Sequence, residues 1–163
     1  MKILIDSKVQ KQLDELKIEY KVFACNPKYA DTAAFCAEYG FEPQQSANTI
    51  IVASKTEPKV YVACLVLATS KLDVNKKVRK LLGVRKVSFA TAEQTTNLTG
   101  MMIGGVTILG LPANMPVYVD SKVMEQPEII VGGGNRSSKV IVNPQELLKI
   151  PNTQVIDDLA VIK

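Results

Sequence analysis

Residues 48–68 read NTIIVASKTEPKVYVACLVLA, and this stretch decides the fold. Two apolar runs, 48–53 and 60–68, are rich in β-branched side chains and are parted by the polar Lys55-Thr56-Glu57-Pro58. Branched side chains suit a pleated sheet and the polar break suits a turn, so the stretch is expected to form a hairpin of central strands.

Working toward the N-terminus, residues 20–24 read as a short strand, and Asp31 or Thr32 is placed to cap a helix that runs to Tyr39 and closes at Gly40. Before them, Ile5, Val9, Leu13 and Leu16 recur at helical spacing among charged residues, which predicts an amphipathic helix on one edge of the core. Toward the C-terminus, Asp73 is the expected N-cap of a helix with Val74, Val78, Leu81 and Leu82 inward, the basic Lys76, Lys77, Arg79 and Lys80 outward, and Gly83 as its stop. Residues 87–89 form a strand, and Thr91 with Gln94 has the spacing of a capping box. Strand character returns at 117–120, 129–131, 139–142 and 155–157, while Asn143, Pro144 and Glu146 signal the start of a short helix.

Many short strands with few helices between them favour a mixed, curved sheet or partial barrel flanked by short helices, an α/β (α+β) arrangement, over a doubly wound one. At 163 residues the chain fits a single domain over 1–163, which buries roughly 70% of its unfolded surface and needs no staples. It is 47% hydrophobic and 22% charged, far from the composition of a disordered chain. The absence of His, together with three dispersed cysteines (Cys25, Cys36, Cys64), removes Ser-His and Cys-His catalysis and the usual zinc sites, so neither metal nor cofactor is expected. Charges spread through residues 1–17 do not resemble a secretory leader, and no apolar run reaches the ~20 residues that span a bilayer, so a cytoplasmic location with no membrane partner is expected.

Two stretches are unusually rich in glycine: residues 100–110, with Gly100, Gly104, Gly105 and Gly110, and the turn Gly132-Gly133-Gly134. Glycine at such density costs backbone entropy, so the fold must require positive φ or a surface without side chains there. Neither stretch fits the dinucleotide or P-loop phosphate patterns. Bare backbone can approach a ligand closely, which makes Gly104 and Gly105 candidates for a nest of amide donors.

Taken in order, several landmarks resemble the YbaK/ProX family of aminoacyl-tRNA editing domains, which is related to the editing insertion of bacterial prolyl-tRNA synthetases. They are Gly40 with Pro43, Asn48-Thr49-Ile50, Leu72-Asp73, Leu81-Leu82-Gly83, Phe89-Ala90, Thr99-Gly100, Gly104-Gly105-Val106, Gly110, Val119-Asp120 and Val131-Gly132-Gly133-Gly134. The likeness spans residues 27–150. It implies hydrolysis of an amino acid wrongly esterified to the 3′ end of a tRNA, with the tRNA acceptor end as partner rather than DNA. It also implies that backbone amides at the Gly-Gly-Val turn orient the ester carbonyl, that a ribose hydroxyl and a water assist attack, and that a lysine in the first central strand contacts substrate. Polarising a carbonyl with fixed donors suits a chain without histidine.

The chain departs from the family pattern at two places: Asn48 occupies the lysine position, and Thr107-Ile108 replaces the usual serine-proline after the Gly-Gly-Val turn. An amide donates a hydrogen bond but brings no charge, and charge-assisted bonds are about twice as strong. Weaker catalysis, a different acyl group, or binding without hydrolysis all follow from that change, and a structural or protein-interaction domain is a further alternative. The expected catalytic residues are Asn48, Gly104 and Gly105. The expected substrate-binding residues are Thr49 and Thr107 for water, Asp120 for a ribose hydroxyl, Gly132, Gly133 and Gly134 as a wall, and Arg136 for phosphate or the terminal adenosine.

Overall fold

The computed structural model describes residues 5–163; the first four residues of the stretch read as lacking a secretory head lie outside the described residues. The hairpin expected from residues 48–68 is present as β2 (Ala47–Ser54) and β3 (Tyr61–Leu67), paired antiparallel with Asn48 opposite Val66. Between its edge strands β5 (Val87–Phe89) and β9 (Thr153–Ile156), the five-stranded sheet runs β5-β2-β3-β6-β9, with β6 (Val117–Asp120) parallel to both β3 and β9. A second sheet, β1-β8-β7, joins β1 (Lys21–Ala24), β8 (Ser138–Val142) and β7 (Ile129–Gly132), all antiparallel. A small third sheet pairs β4 (Ser70–Leu72) with β10 (Ala160–Ile162).

The hairpin is mostly apolar because both of its faces are covered. Successive side chains leave a strand on opposite sides, so Ala63, Leu65 and Leu67 of β3 enter one core while Val62, Cys64 and Val66 enter another. The first core is closed by β7, β8 and α1 (Ser7–Glu15), the second by Val74, Val78 and Leu159. Cys64 is fully enclosed, and burial pushes its thiol up to about 12, which makes it the inert core residue its strand context suggests.

The local stop and start signals act as read. Gly40 and Gly83 end their helices at φ +76° and +68°, and Thr91 with Gln94 forms both bonds of the capping box that opens α4 (Ala92–Thr99). Asp31 stands at the N-cap of α2 (Thr32–Tyr39) but makes no side-chain capping bond, its carboxylate accepting from Arg136 instead, whereas the Asp73 side chain accepts from Lys76 N–H at 3.2 Å. The segment after Asp73 begins as a π-helical turn over Val74–Val78 and only then becomes α3 (Arg79–Leu82). The segment after Asn143 is a 3-10 helix, Pro144–Lys149. The short α5 (Ser121–Met124) and the pair β4 and β10 have no periodic signal long enough to read from sequence.

The two sheets meet at the start of the hairpin, where Ser46 forms a single parallel bridge to Ile130. They are held there by main chain packed on main chain. Gly134 N–H donates to Gly105 O at 2.7 Å, a Cβ on Gly105 would run into the Asn135 backbone, and one on Gly132 would run into the carbonyls of Gly105 and Val106. Gly133 O accepts from Asp6 N–H at 3.0 Å, which ties the start of α1 to the same turn. The expected result of Gly132→Ala is a loss of about 3 kcal/mol, because two backbones must separate. Gly40→Ala faces open space, and its left-handed backbone costs only about 1 kcal/mol. Urea unfolding of the two variants measures the difference.

Candidate active site

A recess of about 220 Å³ opens at the seam between the sheets. Its walls are the start of β2 with Asn48 and Thr49, the loop bearing Ile103 and Gly104, the end of β7 with Gly132, the start of α2 with Thr32 and Phe35, and Lys139 of β8. Four of the expected residues, Asn48, Thr49, Gly104 and Gly132, therefore share one cavity, although 84 positions separate Asn48 from Gly132.

Asn48 is held by Thr32, whose hydroxyl donates to Asn48 Oδ1 at 2.6 Å. That bond occupies the amide oxygen and leaves the two N–H donors. Thr32 and Asn48 also form a wall of a second, more apolar recess of about 450 Å³ that contains Phe41, Pro43 and Lys163. Thr49 Oγ1 is buried without a hydrogen-bond partner among the described residues, on a wall of the first recess.

The remaining expected residues do not line the recess. Gly105 N–H donates to Met102 O at 2.9 Å, so it is engaged inside the turn, while behind the wall Gly133 packs against Ser138 and Gly134 against Asp6 and Val9. Thr107 is enclosed in the first core. Asp120 sits at the end of β6 with no exposed surface, its carboxyl raised by burial and pulled back by the Lys122 ammonium 3.7 Å away. Met101 is a core residue as its apolar context suggests, whereas Met102 is 57% exposed because the chain turns sharply there.

Arg136 is a strut. Its Nη1 donates to Ile103 O at 2.8 Å and to Asp31 Oδ1 at 3.2 Å, and its Nη2 donates to Pro27 O at 3.0 Å. A planar guanidinium fits this task because it presents several donors in a fixed fork. It fastens the glycine loop to the segment before α2, across the rim of the recess.

Lys139 was missed by sequence reasoning. It is 7% exposed, and its ammonium donates to Ala30 O at 2.6 Å and Gly104 O at 3.2 Å and lies 5.4 Å from the centre of the Phe35 ring. Burial, the largest influence, draws its pKa below the ordinary lysine range. Arg136 adds to that, while Cys25, Asp31 and Cys36 oppose it. The signal was present: a lysine inside Ser138-Lys139-Val140-Ile141-Val142, in the middle strand of a sheet, is out of place unless its charge has a use. Arg136→Met is expected to cost about 2 kcal/mol in urea unfolding, since it strips charge-assisted donors from two carbonyls. It should also hasten proteolysis at 102–104, and Arg136→Lys, lacking the fork, should restore little.

The profile of the aminoacyl-tRNA editing domain matches residues 26–150. EbsC of Enterococcus faecalis, whose name assigns it to deacylation of Cys-tRNA(Pro) and Cys-tRNA(Cys), is 25% identical over 147 residues, covering 88% of this chain and 87% of its own. A solved structure named as a trans-editing enzyme for prolyl tRNA synthetase superposes with a TM-score of 0.80 at 25% identity, over 96% of this chain and 95% of its own. That of the protein APE2540 gives 0.84 at 23% identity, over 94% and 99%. The curved mixed sheet with its flanking helices is the architecture of these structures, and the profile match covers most of the chain, which therefore belongs to the aminoacyl-tRNA editing domain family.

Proposed function

We propose that this protein hydrolyses misacylated aminoacyl-tRNA in trans, releasing a small amino acid esterified to the tRNA 3′ end. The observation that carries this reading is the convergence of Asn48, Thr49, Gly104 and Gly132 on one small cavity at the seam between the sheets. At about 220 Å³ it lies below the ~300–1,000 Å³ of sites that enclose a drug-sized ligand, so it admits a small aminoacyl group and leaves the terminal nucleoside at the rim. Asn48 N–H is a polar donor suited to the ester or an attacking water. Gly104 supplies bare main chain on the wall. Gly105, its N–H engaged in the turn, serves by holding that wall against the second glycine turn.

The charge distribution fits a polyanionic partner. Residues 71–86 carry seven of the twenty Lys and Arg but one of the sixteen Asp and Glu, and that one, Asp73, is used as a cap. Lys71, Lys76, Arg79, Lys80, Arg85 and Lys86 are exposed. Phosphate neutralisation by such side chains is independent of sequence and weakens with salt. Among the described residues no helix is long and apolar enough to cross a membrane.

A panel of tRNAs misacylated with alanine, serine, cysteine and larger amino acids tests the reading. Release above the spontaneous rate is expected for one or more of the small ones, with kcat/KM falling as salt rises. No release from any of them removes the enzymatic reading. Tight binding of an acylated tRNA without turnover instead favours a recognition module, the alternative that the uncharged Asn48 raises.

A further inference from the structure

Among the side chains that line the recess, the ionisable ones are Asp31 and Lys139, and the Asp31 side chain is 70% exposed at the rim. Lys139 is the buried one, and it reaches the cavity from β8 of the second sheet, across the seam from Asn48. A lysine ammonium has three N–H donors. Two are spent on Ala30 O and Gly104 O, which fixes the amine against the wall and leaves the third for a ligand in the cavity it lines. A charge this enclosed is costly to keep, and two neutral carbonyls with an aromatic face offset that cost only in part.

We propose that Lys139 is a catalytic residue whose free N–H binds the scissile ester carbonyl of the aminoacyl group, so that the positive charge of this site comes from β8 while β2 contributes the neutral Asn48. The assignment rests on the deacylase reading. Water adds to the ester carbon as the carbonyl π pair moves onto oxygen, where the Lys139 N–H receives it. When the intermediate collapses, the C=O reforms and the bond to the ribose oxygen breaks. The proton given up by water ends on that oxygen, so the products are the free amino acid and a tRNA with its hydroxyl restored. Gly104 couples the two halves of the device, because the carbonyl that orients Lys139 belongs to the glycine on the opposite wall. Donors fixed before the reaction are worth most in a site closed to water.

The groups facing the amine are the Asp31 carboxylate, the Arg136 guanidinium and the Cys25 and Cys36 thiols. Only the protonated amine carries the charge and the donor. Activity should therefore fall as pH rises through the depressed Lys139 value, earlier than an ordinary lysine would allow.

The test compares wild type with Lys139→Met, Lys139→Arg and Asn48→Ala on the tRNA that the panel identifies, across pH. Lys139→Met is expected to lose about a hundredfold or more in kcat with a smaller change in KM. Lys139→Arg should keep part of the rate and move the alkaline limb upward, because guanidinium does not deprotonate there. Asn48→Ala should lose less than Lys139→Met. A folded Lys139→Met protein within threefold of wild-type kcat, or one with the same alkaline limb, overturns the proposal. If the methionine variant fails to fold, the arginine variant decides: an alkaline limb left where wild type has it overturns the assignment. Calorimetry with an amide-linked analogue of aminoacyl-adenosine separates this assignment from the deacylase reading. Wild type that binds the analogue tenfold or more tighter than Lys139→Met supports Lys139 even if turnover is absent. Equal binding by both removes Lys139 alone. Wild type that neither binds the analogue nor hydrolyses any tRNA removes the deacylase reading and Lys139 together.

Discussion

Two main-chain turns touch without side chains between them, and the arrangement of the molecule depends on that contact. Gly134 N–H reaches Gly105 O only because neither Gly105 nor Gly132 carries a Cβ. Were the turns separated by the width of a methyl group, the glycine loop would leave the end of β7 and the recess would lose a wall. The start of α1 is fastened to Gly133 of the same turn, so the first helix, the loop and the second sheet are positioned by one junction. Such close approach is what the entropy cost of glycine secures here.

The recess lies where regular hydrogen bonding gives out. The five-stranded sheet is complete around β2 and β3, and the three-stranded sheet around β8, but among the described residues the one ladder contact between them is the bridge from Ser46 to Ile130. A seam of this kind leaves backbone and polar side chains free to face a ligand. Arg136 and Lys139, two cations three positions apart, close it in different ways. Arg136 joins three segments at the rim through three hydrogen bonds, while Lys139 enters the cavity with two of its three donors used. Both take main-chain carbonyls as partners, and each adds one side-chain neighbour, the Asp31 carboxylate for Arg136 and the Phe35 ring for Lys139.

Much of this was legible in the chain. The branched runs of 48–68 identified the central hairpin because both faces of those strands are covered, and the caps at Asp73, Thr91 and Asn143 acted where they stand because capping is local chemistry. Glycine density marked the two turns that meet. The site was legible in outline: Asn48, Thr49, Gly104 and Gly132 line the cavity. Asp120 and Arg136 are polar residues next to landmarks, and sequence cannot say whether such a residue faces a ligand or a neighbouring strand. Arg136 turned inward because two carbonyls and the Asp31 carboxylate lay within reach of one guanidinium.

The order of residues determined by itself the longer strands, the caps and stops of the main helices, and that histidine chemistry has no place here, since these follow from local backbone preference and composition. The tertiary structure decided which side chains meet across long separations. It drew Lys139 to the cavity of Asn48, spent the Gly105 amide inside a turn, and put Thr107 into the core. The physical reason is that a strand residue's environment is set by what packs over its face, and in this protein that covering comes from segments distant in the chain.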